Sequence, residues 1–258
     1  WPETLQELGY IKNKFFLKIF EKTIFSLYTN HKLILTQSME YFLDIKKKFR
    51  NSNFLYNPVD KFDEEFEKPE NINFLEDYRY LVYSGNIGIA QNFDLLLNAA
   101  NKLKSKKLKF LLIGNGSRFN YLKNKINKNL LFNVELHKAI SKKELSYVLK
   151  RADVLFISLK ENKISKFIIP AKFQTYTFFG KPILCQIEGD VKKLVKQNKC
   201  GFIVKNEKLE SMLEELNKII NLDNDTLAKM GTNSKAVFNK YFNNEIFLKS
   251  FKNIIDEI

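Results

Sequence analysis

The sequence predicts an α/β fold built on a doubly wound parallel sheet, and three observations carry that reading. From residue 80 onward, short apolar runs alternate with amphipathic helical stretches, at a spacing that leaves room for the crossovers parallel strands require. The loops that follow those runs are punctuated by glycine and proline. The 258 residues are 45% hydrophobic and 14% aromatic, enough for a full core and too apolar for a solvated tail.

Residues 11–28 come first, a basic segment in which Phe15, Phe16, Ile19, Phe20, Ile24 and Phe25 are interleaved with Lys12, Lys14, Lys18 and Lys22. Two accounts fit it: a helix packing its stripe on a core, and a helix inserting its aromatics into an anionic lipid surface. Residues 32–36 read as a strand, 38–49 as a helix capped by Ser38, and 53–56 as a strand ended by Asn57-Pro58. Residues 59–78 turn to Asp, Glu, Lys, Asn and Pro69 without a period, which is the composition of a linker. The regular alternation then runs strand 80–84, helix 90–103, strand 108–113, helix 119–126, strand 134–136 and helix 142–151. It continues with strand 154–159, a short helix from Ala171, strand 183–185, helix 191–197, strand 202–204 and helix 209–220. Phe93, Leu96, Leu97, Ala100 and Leu103 form one face of the helix over 90–103, and Ser141 with Glu144 makes a capping box. Residues 227–258 read as two helices broken around 241–244.

The 43 Lys and Arg against 29 Asp and Glu give a formal charge of +14 and call for an anionic partner: nucleotide phosphate, nucleic acid or acidic lipid. The lysines are dispersed, so an AT-rich coding sequence accounts for the excess equally well. No nucleic-acid recognition motif is present, and no specific nucleic-acid partner is expected. Cys185 and Cys200 have neither a CxxC spacing nor the numbers for a disulfide framework, which points to a reducing compartment. No apolar run reaches the length of a membrane span and none reads as a signal peptide. The first residue is Trp1, which suggests the tail of a longer protein or a processed chain.

In open parallel sheets ligands bind beyond the carboxyl ends of the strands, so the loops after the strands are the candidates. They read Gly85-Asn86-Ile87-Gly88, Gly114-Asn115-Gly116-Ser117-Arg118, Lys160-Glu161 and Pro170-Ala171-Lys172. Paired glycines allow backbone N–H groups to approach a phosphate, or simply make turns. Lys172 falls in the first turn of a helix, where the dipole is unfavourable to a cation unless an anion is bound. The competing account is a solvated surface lysine. No Gly-x-Gly-x-x-Gly is completed and no acid follows at the distance a nicotinamide enzyme needs, which counts against a dehydrogenase.

Several motifs in order resemble a known family: Trp1-Pro2-Glu3, residues 83–91 (Tyr-Ser-Gly-Asn-Ile-Gly-Ile-Ala-Gln), Ile113-Gly114-Asn115-Gly116-Ser117, Ser158-Leu159-Lys160 and Ile169-Pro170-Ala171-Lys172-Phe173-Gln174. They are similar to the retaining nucleotide-sugar glycosyltransferases of the GT-B fold, in the family-4 group. The nearest form is the branch acting in O-antigen, capsule and related surface-polysaccharide synthesis. The resemblance implies a Rossmann-like C-terminal half of a GT-B fold over 79–258, with its terminal helices crossing back. Residues 59–78 would be the linker and 1–58 a remnant of the acceptor domain. It implies that Gly85, Asn86 and Gly88 approach a diphosphate, with Gln91 nearby. Gly114, Gly116, Ser117 and Arg118 would border the nucleoside. Lys172 and Lys160 would supply cations beside Pro170 and Thr175. Many relatives carry a glutamate pair whose positions fall here on Phe167 and Thr175, neither acidic, and Asn86 and Gln91 stand near the places of a usual Arg and Lys.

The implied substrate is a nucleoside diphosphate sugar, usually UDP-linked in this family, with no further cofactor, no metal and no assigned catalytic residue. The implied acceptor is a saccharide or a polyprenyl-linked one, with peripheral membrane contact through residues 11–28 and a cytoplasmic location at the inner face of the plasma membrane. A remnant this short is expected to bind donor without transferring it. Two other readings stand beside it: a non-catalytic nucleotide-binding or assembly module, and a sugar-nucleotide epimerase of the same fold.

Overall fold

The structure is a computed structural model that describes residues 13–59 and 65–257. The Trp1-Pro2-Glu3 motif, the first two residues of the basic segment and part of the expected linker lie outside the described residues.

Helix α1 (Lys14–Asn30) is followed by β1 (Ile34–Thr36), α2 (Met39–Ile45) and β2 (Ser52–Phe54). The two strands pair in parallel as a small sheet. Then come β3 (Arg79–Ser84), α3 (Phe93–Lys102), β4 (Leu108–Ile113), α4 (Phe119–Lys128), β5 (Val134–His137), α5 (Lys142–Arg151) and β6 (Val154–Ser158). A 3-10 turn (Ser165–Phe167) leads into α6 (Ala171–Phe178), β7 (Ile183–Gln186), α7 (Asp190–Gln197), β8 (Gly201–Ile203), α8 (Leu209–Asn221), α9 (Asn224–Tyr241) and α10 (Asn244–Asp256). The second sheet has six parallel strands in the order β5-β4-β3-β6-β7-β8, the doubly wound arrangement.

Its strands are buried on both faces, and alternate residues feed two cores. Leu81, Tyr83, Phe110 and Leu112 meet Phe93, Leu96 and Leu97 of α3 on one side. Tyr80, Val82, Leu111, Ile113 and Ile157 meet Phe173 and Tyr176 of α6 and Val191 of α7 on the other. All five residues expected on the inner face of α3 and its end are buried. The helix starts at Phe93 instead of residue 90, because residues before it are held in a turn: Gly88 N donates to Gln91 Oε1 at 3.0 Å and Asn92 N to Ser158 Oγ at 3.1 Å. Likewise α2 stops at Ile45, short of residue 49, where Lys48 N and Phe49 N both turn back onto the Ile45 carbonyl at 2.9 Å. The capping box of Ser141 and Glu144 starts α5 as the sequence indicates.

The small sheet has a core of three buried residues, Ile34, Ile45 and Phe49. On α1, Phe15, Phe16, Ile19, Phe20 and Phe25 are 45–67% exposed, so the described residues give most of that stripe no core to cover. Phe25 alone of these packs on Phe49, with ring centroids 5.1 Å apart. Among the described residues no helix is long and apolar enough to cross a membrane.

The small sheet is anchored to the larger unit at two points. Asp190, buried at the start of α7, accepts from Met39 N at 2.5 Å and Glu40 N at 3.2 Å, so it caps α2 from another part of the chain. Phe242, fully buried between α9 and α10, packs on Tyr56 at 5.2 Å and on Phe173 of α6 at 5.7 Å, while its carbonyl accepts from Val59 N at 3.2 Å. Phe242→Ala would open a cavity at this junction. It is expected to lower stability by about 3–5 kcal/mol in urea denaturation, the range for deleting a buried aromatic ring.

Candidate functional site

The chain lays strands in one direction from β3 to β5 and in the other from β6 to β8, so the order reverses between neighbours β3 and β6. Their following segments leave to opposite faces and open a crevice at the carboxyl edge, where ligands bind in such sheets.

The loops after β3 and β4 interlock on one side of it. Gly85 N donates to Ile113 O at 2.9 Å, Ile87 N to Asn115 O at 2.7 Å, and Arg118 N to Ile87 O at 3.0 Å, which extends the ladder beyond the strands. A Cβ at Gly114 would lie 1.8 Å from the Gly85 carbonyl oxygen, and one at Gly116 would lie 2.2 Å from that of Ile87. These two glycines serve backbone-to-backbone contact. The N–H groups of Gly85, Gly88 and Gly114 are committed inside the protein, to Ile113 O, Gln91 Oε1 and His137 O. The N–H groups of Asn86, Gly116 and Ser117 have no partner among the described residues, and they are the donors these loops can turn toward an anion.

Helix α6 closes the other side, with Pro170 at its N-cap position. Lys172 in its first turn is not a solvated lysine. Its Nζ donates to Tyr83 Oη at 2.5 Å and lies 3.8 Å from the centroid of that ring. Gly85, at φ +130°, leaves the space above it open: a Cβ there would be 3.1 Å from Nζ. Burial pushes the amine down from the usual lysine value to about 7.

The remaining sequence-predicted residues divide. Gln91 is buried and serves the Gly88 turn. Arg118 pairs with Asp94 at 3.1 Å and its guanidinium lies 3.9 Å from the Tyr121 ring centroid, so it is held against α3 and α4. Burial would raise the Asp94 carboxyl, but hydrogen bonds from Lys125 and Tyr121 outweigh it and hold the group below its usual range. The Thr175 hydroxyl is spent on the Ala171 carbonyl, at 3.3 Å. Lys160 N donates to Ala90 O at 2.7 Å, while the lysine side chain has no bonded partner among the described residues.

Sequence reasoning missed the residues that brace the crevice. Tyr176 Oη accepts from Ser84 N at 3.0 Å, and Ser158 Oγ accepts from Asn92 N and donates to Gln186 Oε1 at 3.1 Å. Tyr83 Oη donates to Asn86 O at 2.6 Å. A tyrosine inside an apolar strand was the available signal, since a buried hydroxyl needs a partner. Beside the crevice, a cleft of about 460 Å³ lies between α2 and the start of α7, lined by Glu40, Glu161, Lys166, Glu188, Lys192 and Lys196 among others. Lys192 is paired with Glu188 at 2.5 Å.

A doubly wound sheet with interlocked glycine turns and a half-buried lysine at its switch point is the architecture of a Rossmann-like α/β domain. The family described as Glycosyl transferases group 1 matches residues 64–237, and the chain belongs to that family. The parallel α/β architecture is that of the Rossmann-like domain of GT-B glycosyltransferases. Among solved structures, Anabaena HepE in complex with UDP-glucose aligns with a TM-score of 0.75 at 13% identity, over 92% of this chain and 67% of that one. TarM of S. aureus, in a complex containing UDP, aligns at 0.70 with 18% identity, over 91% and 46% of the two chains. WaaG, a glycosyltransferase involved in lipopolysaccharide biosynthesis, aligns at 0.66 with 14% identity, over 85% and 62%. The chain thus spans between about half and two thirds of these proteins. No curated protein sequence matches it.

The low value for Lys172 has a signed consequence for stability. Above about pH 7 the folded amine gives up its proton, while the unfolded chain keeps it to about 10.5. The unfolded state then binds more protons, so this group makes stability rise with pH through that window. Lys172→Met is expected to remove that rise, which denaturation midpoints of both proteins at pH 7 and pH 9 would show.

Proposed function

We propose that the chain is the donor-binding part of a retaining, family-4-type glycosyltransferase that uses a nucleoside diphosphate sugar, most simply a UDP-sugar. The observation that carries this is the convergence of Lys172 with the interlocked glycine turns at the strand switch point. The diphosphate would lie over Gly85 with its charge facing Lys172 and the free N–H groups of Asn86, Gly116 and Ser117, and Lys160 would add a second cation. Such a site stabilises the leaving diphosphate with fixed dipoles and lysine charge. The crystal complexes of HepE and TarM with UDP or UDP-glucose support uridine as the base.

In this reading residues 79–258 form the donor domain with the terminal helices crossing back, 59–78 the linker, and 1–58 part of an acceptor domain. The cleft between α2 and α7 would admit a saccharide or polyprenyl-linked acceptor. The exposed aromatics of α1 suit contact with a membrane surface, which fits a peripheral cytoplasmic location and synthesis of a surface polysaccharide such as O-antigen or capsule. The lipopolysaccharide role of WaaG supports that last step by analogy of fold.

Calorimetric titration with UDP and GDP is the direct test. UDP is expected to bind, and Lys172→Ala to weaken it by about 1.5–3 kcal/mol, the range for a charge-assisted hydrogen bond. Failure of both nucleotides to bind the folded chain at millimolar concentration would overturn the donor site.

A further inference from the structure

Tyr83 is the penultimate residue of β3, in a position that a merely hydrophobic residue could have filled. It is fully buried and packs edge-on against Phe93, with ring centroids 4.9 Å apart. Its hydroxyl nonetheless lies between the lysine and the first glycine turn, accepting from Lys172 Nζ at 2.5 Å and donating to Asn86 O at 2.6 Å.

The donor count around the amine is unequal. An ammonium has three N–H groups to place. The described residues offer Lys172 one acceptor, the Tyr83 hydroxyl. Among the described residues no carboxylate bonds to it. Among the described residues the titratable group in contact with it is Tyr83 from β3, while Tyr176, one turn further along its own helix, has its hydroxyl on Ser84. On α9, packed against α6, Lys235 is held at the far end of α6, where it donates to Phe178 O at 2.6 Å. A neutral amine has two N–H groups to place and an ammonium three, so the charged form leaves one more donor unmet beside the single Tyr83 acceptor. The open face above Gly85 is where the missing acceptors would have to come from.

We propose that Tyr83 is a positioning residue that holds the Lys172 amine beneath the Gly85 turn, short of acceptors in the empty site, and that an arriving diphosphate draws one proton onto that amine. The proposal rests on the donor-site reading and adds a coupling that reading does not require. The step balances simply: the Nζ lone pair takes a proton from solvent, the new N–H groups donate to phosphate oxygens, and no bond between heavy atoms changes. The depressed value of about 7 agrees with it. The bound form carries the extra proton, so affinity falls as pH rises above about 7, by up to about tenfold per pH unit until the raised value in the complex is passed.

The experiment is calorimetry with UDP at pH 8.5 in two buffers of very different ionisation enthalpy. The terminal phosphate is then fully ionised, as phosphate second ionisations fall near about pH 6. The expected result is uptake of close to one proton per UDP bound, absent in Lys172→Met. In Tyr83→Phe the ammonium loses its only acceptor in the empty site. The pH above which affinity declines should therefore move down, whereas a purely structural role would lower the melting temperature and leave the pH profile in place. UDP binding without proton uptake in the parent chain overturns the proposal, as does an unmoved profile in Tyr83→Phe. If Tyr83→Phe does not fold, the buffer comparison of parent and Lys172→Met decides alone. If UDP does not bind the parent at all, the donor-site reading falls and takes this proposal with it.

Discussion

The contact on which the site depends is between two stretches of backbone. Gly114 approaches the Gly85 carbonyl so closely that a Cβ would lie 1.8 Å from it, and Gly116 does nearly the same to Ile87. The contact follows from the sheet: Ser84 and Ile113 end β3 and β4 in register, and Gly85 N and Gly114 N carry the ladder one step further onto Ile113 O and His137 O. Side chains at those points would force the loops apart. With the edge zipped from β5 to β3, the described strands open between β3 and β6, where the winding direction reverses.

What fills that opening is costly in the empty protein. Lysine charge is disfavoured where water is excluded, and a helix N-terminus adds to the penalty. The protein reduces it by lowering the amine's proton affinity and supplying one hydroxyl. Among the described residues no carboxylate removes it, although Asp94 in the first turn of α3 shows how readily this chain builds such pairs, with Arg118, Lys125 and Tyr121 all on one acid. Arg118 is neutralised and braced, while Lys172 is left without a counter-charge. That contrast separates a cation paired within the scaffold from one that the described residues leave without a counter-charge.

The elements were legible because their signals are local. Strands buried on both faces are continuous apolar runs, the inner face of α3 repeats at helical spacing, and Ser141 with Glu144 lies within one turn. The glycines were legible as positions but not in purpose, since a turn and a backbone contact leave the same mark in a sequence. Where α3 begins was hidden because Asn92 N is claimed by Ser158, 66 residues later. Tyr83 and Lys172 are 89 residues apart, and Met39 and Asp190 are 151 apart. No periodicity or spacing reports such pairs, which come into being only when the sheet is assembled.

The Asp190 bond also settles what shapes the cleft beside the site. Three buried residues are too small a core for the unit of β1, α2 and β2 to fix its own geometry. Its placement is inherited from the larger sheet, through Asp190 at the start of α7, Tyr41 against Phe167 at 5.6 Å, and Tyr56 against Phe242. A single carboxylate receives N–H groups from the first turn of α2 while standing in the first turn of α7, so two helix N-termini, both favourable to negative charge, share one anion. The start of α7 is itself pressed onto the loop after β6, where a Cβ at Gly189 would lie 1.9 Å from the Lys166 carbonyl oxygen. Lys166, α7 and α2 are therefore positioned as a set, through contacts that tie the cleft to the larger sheet.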